Sequence, residues 1–210
     1  MPVVARQLGR PRGLFGRLIG QGLARRNANV NRWAMNEIGK HYHEKVGRIV
    51  EFGPGPGIGL EETLRVFPHA AVWGVDPSPE MLSQSRKRNR AAVDSRRLTL
   101  LQGDVASAAK LAPVDVVLGV HVIYFWREPL VEMTRLCQLL RPGGLLALGY
   151  QLRQHMPRLA QRDFPKEGYV LYESDADLTA LLIQSGFRNV EVLVLGAAES
   201  PEGRLALATT

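Results

Sequence analysis

Short apolar segments alternate with helical segments through the middle of the chain, and this alternation restricts the fold more than any other feature of the sequence. The apolar segments are residues 48–52, 71–75, 98–101, 114–120 and 145–150. Each is apolar almost throughout rather than at every second position, which is typical of strands buried on both faces. Strands of this kind separated by helices form a parallel sheet with helices on both sides. Because the crossovers are right-handed, the pattern predicts a doubly wound α/β fold.

The end of the chain departs from this alternation. Residues 187–195 and 204–208 read as two further strands, and the connection between them is too short to contain a helix. Such a connection requires the two strands to run antiparallel. We therefore predict a mostly parallel seven-stranded sheet with an antiparallel C-terminal strand pair. Residues 151–173 show no sustained period and are predicted to form an inserted loop or short helix.

The beginning of the chain is strongly basic. Ten Lys and Arg residues lie in the first 50 positions against two acidic residues, whereas the remaining positions are close to neutral. Val30, Ala34 and Ile38 recur at four-residue intervals, which indicates a helix within this part. We predict a basic helical arm over residues 1–45 and a single domain over residues 46–210. The arm is expected to be solvated, or to contact an anionic lipid surface, a nucleic acid or an acidic substrate.

Composition excludes several classes of protein. The longest uncharged strand-like stretch, residues 116–126, is shorter than the ~20 residues that span a bilayer. Arginines interrupt every apolar run near the start, so no secretory signal is predicted. The single cysteine, Cys137, permits neither an internal disulfide nor a cysteine-based zinc site, and no metal site is predicted. We expect a cytoplasmic protein.

A glycine-rich turn follows the first predicted strand. Residues 51–59 read Glu-Phe-Gly-Pro-Gly-Pro-Gly-Ile-Gly. Gly53, Gly55 and Gly57 let the backbone approach a ligand closely, and ligands of open parallel sheets bind at the carboxyl ends of the strands. No register of these glycines gives the dinucleotide pattern G-x-G-x-x-G, and the phosphate-loop pattern G-x-x-x-x-G-K-S/T is absent. Neither of these nucleotide sites is therefore predicted.

Acidic residues mark the ends of the first three predicted strands. Asp76 is placed where a carboxylate can bind both hydroxyls of a ribose, and it can also serve, with Ser78, as a helix cap. Asp104 can accept a hydrogen bond from an exocyclic amine beside the backbone N–H of Val105, or it can be an ordinary turn residue. Three acids on successive strand ends, Glu51 included, favour a nucleoside ligand.

Four features in this order resemble one enzyme family. They are Glu51-x-Gly53-x-Gly55-x-Gly57, the acid Asp76, Gly103-Asp104, and Leu140-Arg-Pro-Gly-Gly144. Together they resemble the class I, seven-stranded, S-adenosylmethionine-dependent methyltransferases. The resemblance extends over residues 48–150, and the predicted C-terminal strand pair is similar to the terminal hairpin of that family.

The resemblance implies S-adenosylmethionine as cofactor. Glu51 and the backbone of the glycine-rich turn would hold its methionyl end, Asp76 its ribose, and Asp104 with Val105 its adenine. The cofactor-binding residues that the resemblance implies are Glu51, Gly53, Pro54, Gly55, Gly57, Asp76, Pro77, Met81, Gly103, Asp104, Val105, Val120 and His121.

The turn after the fourth predicted strand supplies the candidate catalytic residues, His121 and Tyr124. The unperturbed pKa of histidine, about 6.5, permits proton uptake near neutrality. His121 is therefore the predicted base, and the alternative is a packing and hydrogen-bonding role under the cofactor. The predicted substrate-binding residues are Trp33, Tyr124, Trp126, Tyr150 and His155.

The same turn narrows the class of acceptor. His121-Val-Ile-Tyr124 departs from the Asn/Asp-Pro-Pro-Tyr/Phe turn of family members that methylate amino groups of adenine, cytosine or glutamine. The resemblance then implies a small or lipid-like acceptor that is methylated by in-line displacement. We expect the arm and residues 151–173 to close over the cofactor.

Two other functions stay open, namely methylation of RNA with the arginine-rich arm on the phosphates, and a non-catalytic methyltransferase-like binding subunit. A nucleic-acid partner is not expected, because the excess basic charge is confined to the arm. Residues 14–19 with the nearby arginines allow peripheral contact with an anionic membrane. A monomer and a homodimer are both compatible with the sequence.

Overall fold

Seven strands form one sheet in the part of the chain that the structure, a computed structural model, describes: residues 28–40, 46–197 and 200–210. The strands are β1 (Arg48–Phe52), β2 (Ala71–Asp76), β3 (Leu98–Gln102), β4 (Val114–Val120), β5 (Leu140–Tyr150), β6 (Arg188–Ala197) and β7 (Ser200–Thr209). Their order across the sheet is β3-β2-β1-β4-β5-β7-β6. The first five are parallel, and β7 runs antiparallel to both of its neighbours. The predicted fold class is confirmed.

Helices cover both faces of this sheet. They are α1 (residues 28–40), α2 (Ile58–Val66), α3 (Pro79–Arg88), α4 (Arg90–Asp94), α5 (Pro129–Leu139), α6 (Arg158–Asp163) and α7 (Asp175–Gln184). Short 3-10 turns lie at Ala106–Leu111, Ile123–Phe125, Arg153–His155 and Pro165–Glu167. The connections from β1 through β5 are thus mostly helical, as a parallel sheet requires.

The two faces carry separate apolar clusters. On one face, here called the α1 face, Ala34 and Ile38 of α1 pack with Leu60 of α2. On the other, here called the α5 face, Leu136 of α5 and Leu178 of α7 belong to one cluster. Side chains alternate along each strand, so consecutive strand residues belong to opposite faces. This alternation decides which functional side chains can meet.

The predicted stripe of α1 is confirmed. Val30, Ala34 and Ile38 are all buried. Residues 14–19, for which contact with an anionic membrane is predicted, lie outside the described residues.

Besides β7, which begins at Ser200 instead of the predicted Arg204, two predicted elements have different bounds in the structure. The predicted helix over residues 79–93 is divided into α3 and α4 at Asn89, whose side-chain amide donates to the carbonyls of Ser85 and Gly57 at 3.2 and 2.9 Å. β5 begins at Leu140 instead of Leu145, since the Pro-Gly-Gly segment continues the strand through a register shift against β4. Both differences arise from hydrogen bonds to distant residues, which local periodicity does not encode.

None of the described helices has the length and hydrophobicity of a membrane-spanning helix. Within the same residues, His, Cys, Asp and Glu side chains form no group of three or more that could hold a metal ion.

Candidate active site

The glycine-rich turn is built at the carboxyl end of β1. Gly53, Gly55 and Gly57 have φ values of 62°, 53° and 87°, in the left-handed region that favours glycine. A Cβ atom on Gly53 would lie 2.9 Å from Val122, and one on Gly57 would lie 2.6 Å from the Asn89 amide nitrogen. Around Gly55, by contrast, no heavy atom lies within 4 Å of such a Cβ. The turn is therefore packed on both sides of Gly55 and open at its centre.

Glu51 lies beneath this turn on the α1 face and is only 2% exposed. Its Oε2 atom has no hydrogen-bond partner in the described part of the chain. Gly59 makes room for the carboxylate, because a Cβ atom there would overlap Oε1. Burial, together with the nearby charge of Asp76, raises the pKa of Glu51 to about 8. A buried carboxylate of this kind is costly unless a cation or donor pairs with it, so the position fits a ligand ammonium group.

Asp76 ends β2 next to the same turn. Its Oδ2 accepts a hydrogen bond from the backbone N–H of Gly55 at 3.1 Å, and its Oδ1 accepts one from that of Ser78 at 2.8 Å. Ser78, and not Asp76, is the N-cap of α3, because its hydroxyl accepts from the N–H of Met81. Burial raises the pKa of Asp76 to about 6, against the lowering effect of those two backbone N–H groups. Each oxygen keeps a further lone pair for a ligand hydroxyl.

Asp104, after β3, is in a different environment. The carboxylate is exposed, and its Oδ1 accepts hydrogen bonds from the N–H and the hydroxyl of Ser107. The N–H of Ser107 is the largest cause that holds the pKa of Asp104 below its usual range. The prediction that Asp104 is an ordinary turn residue is therefore correct for Oδ1, which bonds within the turn. Oδ2 forms no hydrogen bond within the described residues, so a ligand amine can still reach it.

The other predicted cofactor-binding residues differ in exposure. Pro77 is exposed, Val120 is half-buried, and Met81 and Val105 are 3% and 4% exposed. Gly103 gives room to the Ser107 side chain, since a Cβ atom on it would overlap the hydroxyl.

His121 follows β4 in a left-handed conformation, with φ 57°. Its N–H donates to the carbonyl of Gly149 at 2.7 Å, which fastens the turn to β5. Its Nδ1 lies 3.4 Å from the Tyr124 hydroxyl, and the two rings are stacked with centroids 6.2 Å apart. A non-glycine residue with positive φ is uncommon, and such residues occur often at functional sites.

Tyr124 is 2% exposed and lies under His121. Its hydroxyl accepts a hydrogen bond from the backbone N–H of Gln151 and donates one to the carbonyl of the same residue at 3.2 Å. Burial raises its pKa above the ordinary value of tyrosine, so the hydroxyl stays protonated at neutral pH. Tyr124 can therefore orient His121, and it does not offer a base of its own.

Tyr150, the last residue of β5, belongs to a polar network on the α5 face. Its hydroxyl donates to Asp175 at 2.7 Å, and Arg204 of β7 forms an ion pair with the same carboxylate at 3.0 Å. Arg204 also lies 3.4 Å from Nδ1 of His155. The network thus brings Tyr150 and His155 together through two residues, Asp175 and Arg204, that the sequence did not indicate.

The aromatic candidates divide between the two faces. Trp126 is half-buried and packs against the α5-face cluster, in which the rings of Phe125, Phe164 and Tyr169 contact one another. Trp33 packs against the α1-face cluster. It also lines a groove of about 830 Å³, together with Leu195 of β6 and further residues of α1 and α2. The structure does not bring Trp33 together with His121, whose ring contacts Tyr124 on the opposite face.

Two residues of this site had no sequence signal. Val122 packs close to Gly53 and Gly119, where it fixes the distance between the β1 and β4 turns. Gln151 joins β5 to the Tyr124 hydroxyl and has a buried Oε1 without a partner in the described chain.

A comparison with protein families gives a match over residues 24–192, and the model that matches is a methyltransferase domain. The chain belongs to this family. The cofactor of the methyltransferase domain is S-adenosylmethionine, and the residues present fit it. The unpartnered Glu51 oxygen suits its ammonium group, and the open centre of the glycine-rich turn leaves space for its backbone contacts.

Relatives of this methyltransferase domain differ in the reactions for which they are named. Trans-aconitate 2-methyltransferase of Methylobacterium nodulans is 34% identical over 101 residues, which are 48% of this chain and 37% of the relative. The tRNA U34 carboxymethyltransferase of Idiomarina loihiensis is 26% identical over 170 residues, which are 77% of this chain and 52% of the relative. The chain thus spans little more than a third of the first relative and about half of the second.

Among solved structures, the plantazolicin methyltransferase BpumL in complex with SAH superposes with a TM-score of 0.73 at 14% identity. The superposition covers 100% of this chain and 95% of that one. At this identity the likeness establishes the fold of the methyltransferase domain.

Proposed function

We propose that this protein transfers the methyl group of S-adenosylmethionine to a small-molecule acceptor. The observation that carries the proposal is the Glu51 carboxylate, which is 2% exposed and has one oxygen without a partner in the described chain. A fold without a ligand would gain stability by replacing such a group. Its place under the glycine-rich turn and beside Asp76 supports a cofactor with a cationic end.

When bound, the cofactor would supply an electrophilic methyl group on a positively charged sulfur, with a neutral thioether as the leaving group. Glu51 would bind the ammonium group, Asp76 the ribose hydroxyls and Asp104 the adenine amine. The backbone of residues 53–57 would follow the methionyl part. With these assignments, the methyl group would lie near the turn that follows β4.

The protein itself would contribute mainly by aligning the acceptor with the methyl group and by excluding water. Fixing two reactants in attack geometry can lower a barrier by roughly 7–11 kcal/mol. His121 would take the proton that the acceptor loses as its new bond to the methyl carbon forms. Tyr124 acts on His121 as a positioning residue, through the contact at 3.4 Å. Trp126, Tyr150 and His155 would form walls of the acceptor pocket.

The acceptor class rests on relatives and on the turn at His121. Similarity to trans-aconitate 2-methyltransferases supports a small molecule in place of a macromolecule. The test is a transfer assay with methyl-labelled S-adenosylmethionine and a panel of small hydroxy, amino and carboxylic compounds, trans-aconitate included. The expected result is labelled product with the intact protein and none with Asp76→Ala. Absence of transfer to every compound, with intact cofactor binding, would favour a non-catalytic binding subunit.

Methylation of RNA is the second candidate. The tRNA-modifying relative, whose similarity covers 77% of this chain, is the observation that favours it. The same assay with bulk tRNA tests this candidate, since label in RNA that is lost steeply with added salt would indicate phosphate contacts. We expect no such label.

A further inference from the structure

Arg204 is a buried cation with an unused donor. The residue is 7% exposed, its Nε contacts Asp175, and its Nη1 faces Nδ1 of His155. Its Nη2 makes no hydrogen bond within the described part of the chain. A guanidinium has five N–H donors and no acceptor, so the Nη2 donors are available to a further acceptor.

The charge of Arg204 is only partly balanced by Asp175. That carboxylate also accepts the Tyr150 hydroxyl at 2.7 Å, and it lies in the first turn of α7, where the helix N-terminus attracts negative charge. Its side chain is 38% exposed, whereas that of Arg204 is 8% exposed. The guanidinium is therefore the less solvated member of the pair.

A second unpartnered donor belongs to Tyr172. This residue is 4% exposed, and its hydroxyl has no hydrogen-bond partner in the described chain. Its carbonyl accepts from Arg153, and two positions earlier the N–H of Val170 donates to the carbonyl of Tyr124. The segment that carries Tyr172 is thus fastened directly to the turn that contains His121.

The strand order fixes how far Arg204 lies from the proposed base. His121 bonds to Gly149 of β5, and Tyr150 of β5 pairs with Arg204 of β7. Neighbouring strands are about 4.8 Å apart, so the backbones of His121 and Arg204 are separated by roughly 10 Å. The side chains of Tyr124, Tyr150 and Arg204 lie on the α5 face, and Tyr150 and Arg204 are partners in the register of β5 and β7.

We propose that Arg204 and Tyr172 form an anchor for a carboxylate at the end of the acceptor distant from the methylated atom. The anchor rests on the proposed function, because it assigns a chemical class to the acceptor of that same site. A guanidinium and a phenol hydroxyl both donate to anionic oxygens, and arginine pairs with a carboxylate in a planar, bidentate manner. The neutral amide of the same acid would lose this interaction.

The experiment measures binding of benzoate against benzamide, and of succinate against succinamide, to the full chain saturated with the demethylated cofactor. The variants are Tyr172→Phe and Arg204→Gln, with Arg153→Gln as the matched control. Arg153 is an exposed arginine of the same segment, and it pairs with Glu173. Tyr172→Phe is the decisive variant, since it removes a hydroxyl that bonds to nothing in the described chain and should leave folding intact.

The expected result is that at least one acid binds the wild-type protein about tenfold or more tightly than its amide. Tyr172→Phe and Arg204→Gln should remove most of this preference, and Arg153→Gln should keep it. Equal binding of acid and amide, binding of neither, or an undiminished preference in Tyr172→Phe would overturn the anchor.

Affinity for the demethylated cofactor is measured first for every variant. Failure of that binding in the wild type contradicts the proposed function itself, whereas normal cofactor binding without acid preference contradicts only the anchor.

Discussion

Among single residues, Glu51 shows the clearest conflict between stability and function, because its buried carboxyl group destabilises the fold when ionised and is proposed to bind the cofactor. Burial is the main cause that raises the pKa of Glu51 in the folded protein to about 8, well above the ordinary glutamate value of 4.5. The folded state therefore holds a proton that the unfolded chain releases at lower pH. The stability linked to this proton is complete below pH ~4.5 and is lost as the pH rises through ~8.

Replacing Glu51 by Gln should stabilise the cofactor-free protein at high pH. We expect the free energy of unfolding to rise by about 5 kcal/mol near pH 9 and to change little near pH 4, because the variant has no carboxylate to ionise. Urea denaturation at the two pH values measures this difference, with the exposed Glu61→Gln as control. The same change should weaken S-adenosylmethionine binding. A stability gain of equal size at both pH values would contradict the role of ionisation.

His121 permits a test of the proposed base that leaves the turn intact. Asparagine tolerates the left-handed region that His121 occupies, so His121→Asn should keep the backbone bond to Gly149. We expect kcat to fall by about 10²–10⁴-fold while affinity for the demethylated cofactor stays within error. Tyr124→Phe, which keeps the stacked ring, should cause a smaller fall. Undiminished turnover in His121→Asn would leave only a packing role for the imidazole.

At the scale of elements, the residue that divides α3 from α4 also stabilises the glycine-rich turn. The Asn89 side chain is buried and donates to the carbonyl of Gly57, which is the N-cap residue of α2. Asn89→Ala removes this bond and the one to Ser85. We expect unfolding free energy to fall by about 1–3 kcal/mol and cofactor affinity to fall with it. Calorimetric titration checks the second effect, and the exposed Arg90→Ala is the control. Unchanged affinity in Asn89→Ala would mean that the turn keeps its shape without this bond.

The elements also show what the sequence can reveal. β1 to β4 agree with the apolar runs to within one or two residues, because strands buried on both faces leave a continuous apolar signal. The Pro-Gly-Gly segment reads as a turn, and only its pairing with β4 makes it strand. Glu51 and Asp76 were indicated by their positions at strand ends. Arg204 and Tyr172 were not, because their importance depends on contacts between β7, α7 and an aperiodic segment that no local pattern records.

At the scale of the whole molecule, the basic arm bears on two predictions, namely coverage of the acceptor and contact with a membrane. We propose that residues 1–45 and the segment 151–173 cover the acceptor once the cofactor is bound. The segment is already fastened to the sheet through Gln151, whose amide donates to the carbonyl of Glu202, and through Tyr124. Contact of the arm with an anionic membrane remains part of this proposal and is tested by co-sedimentation with acidic liposomes.

Deletion of residues 1–28 tests the covering role. Turnover of a small acceptor should fall more than affinity for the cofactor, because the acids proposed to hold the cofactor all lie in the domain. Steady-state kinetics of the truncated and intact proteins, together with a cofactor titration of each, measure the two effects. Equal turnover by both proteins would refute a covering role for the arm.

One measurement tests the central claim most directly, namely a crystal structure of the intact protein grown with S-adenosylhomocysteine. We predict that the ligand's amino group lies within hydrogen-bond distance of Glu51, that its ribose hydroxyls reach Asp76, and that its adenine lies beside Asp104. Density for the ligand elsewhere, or vacant ends of β1, β2 and β3 at saturating ligand, would contradict this account.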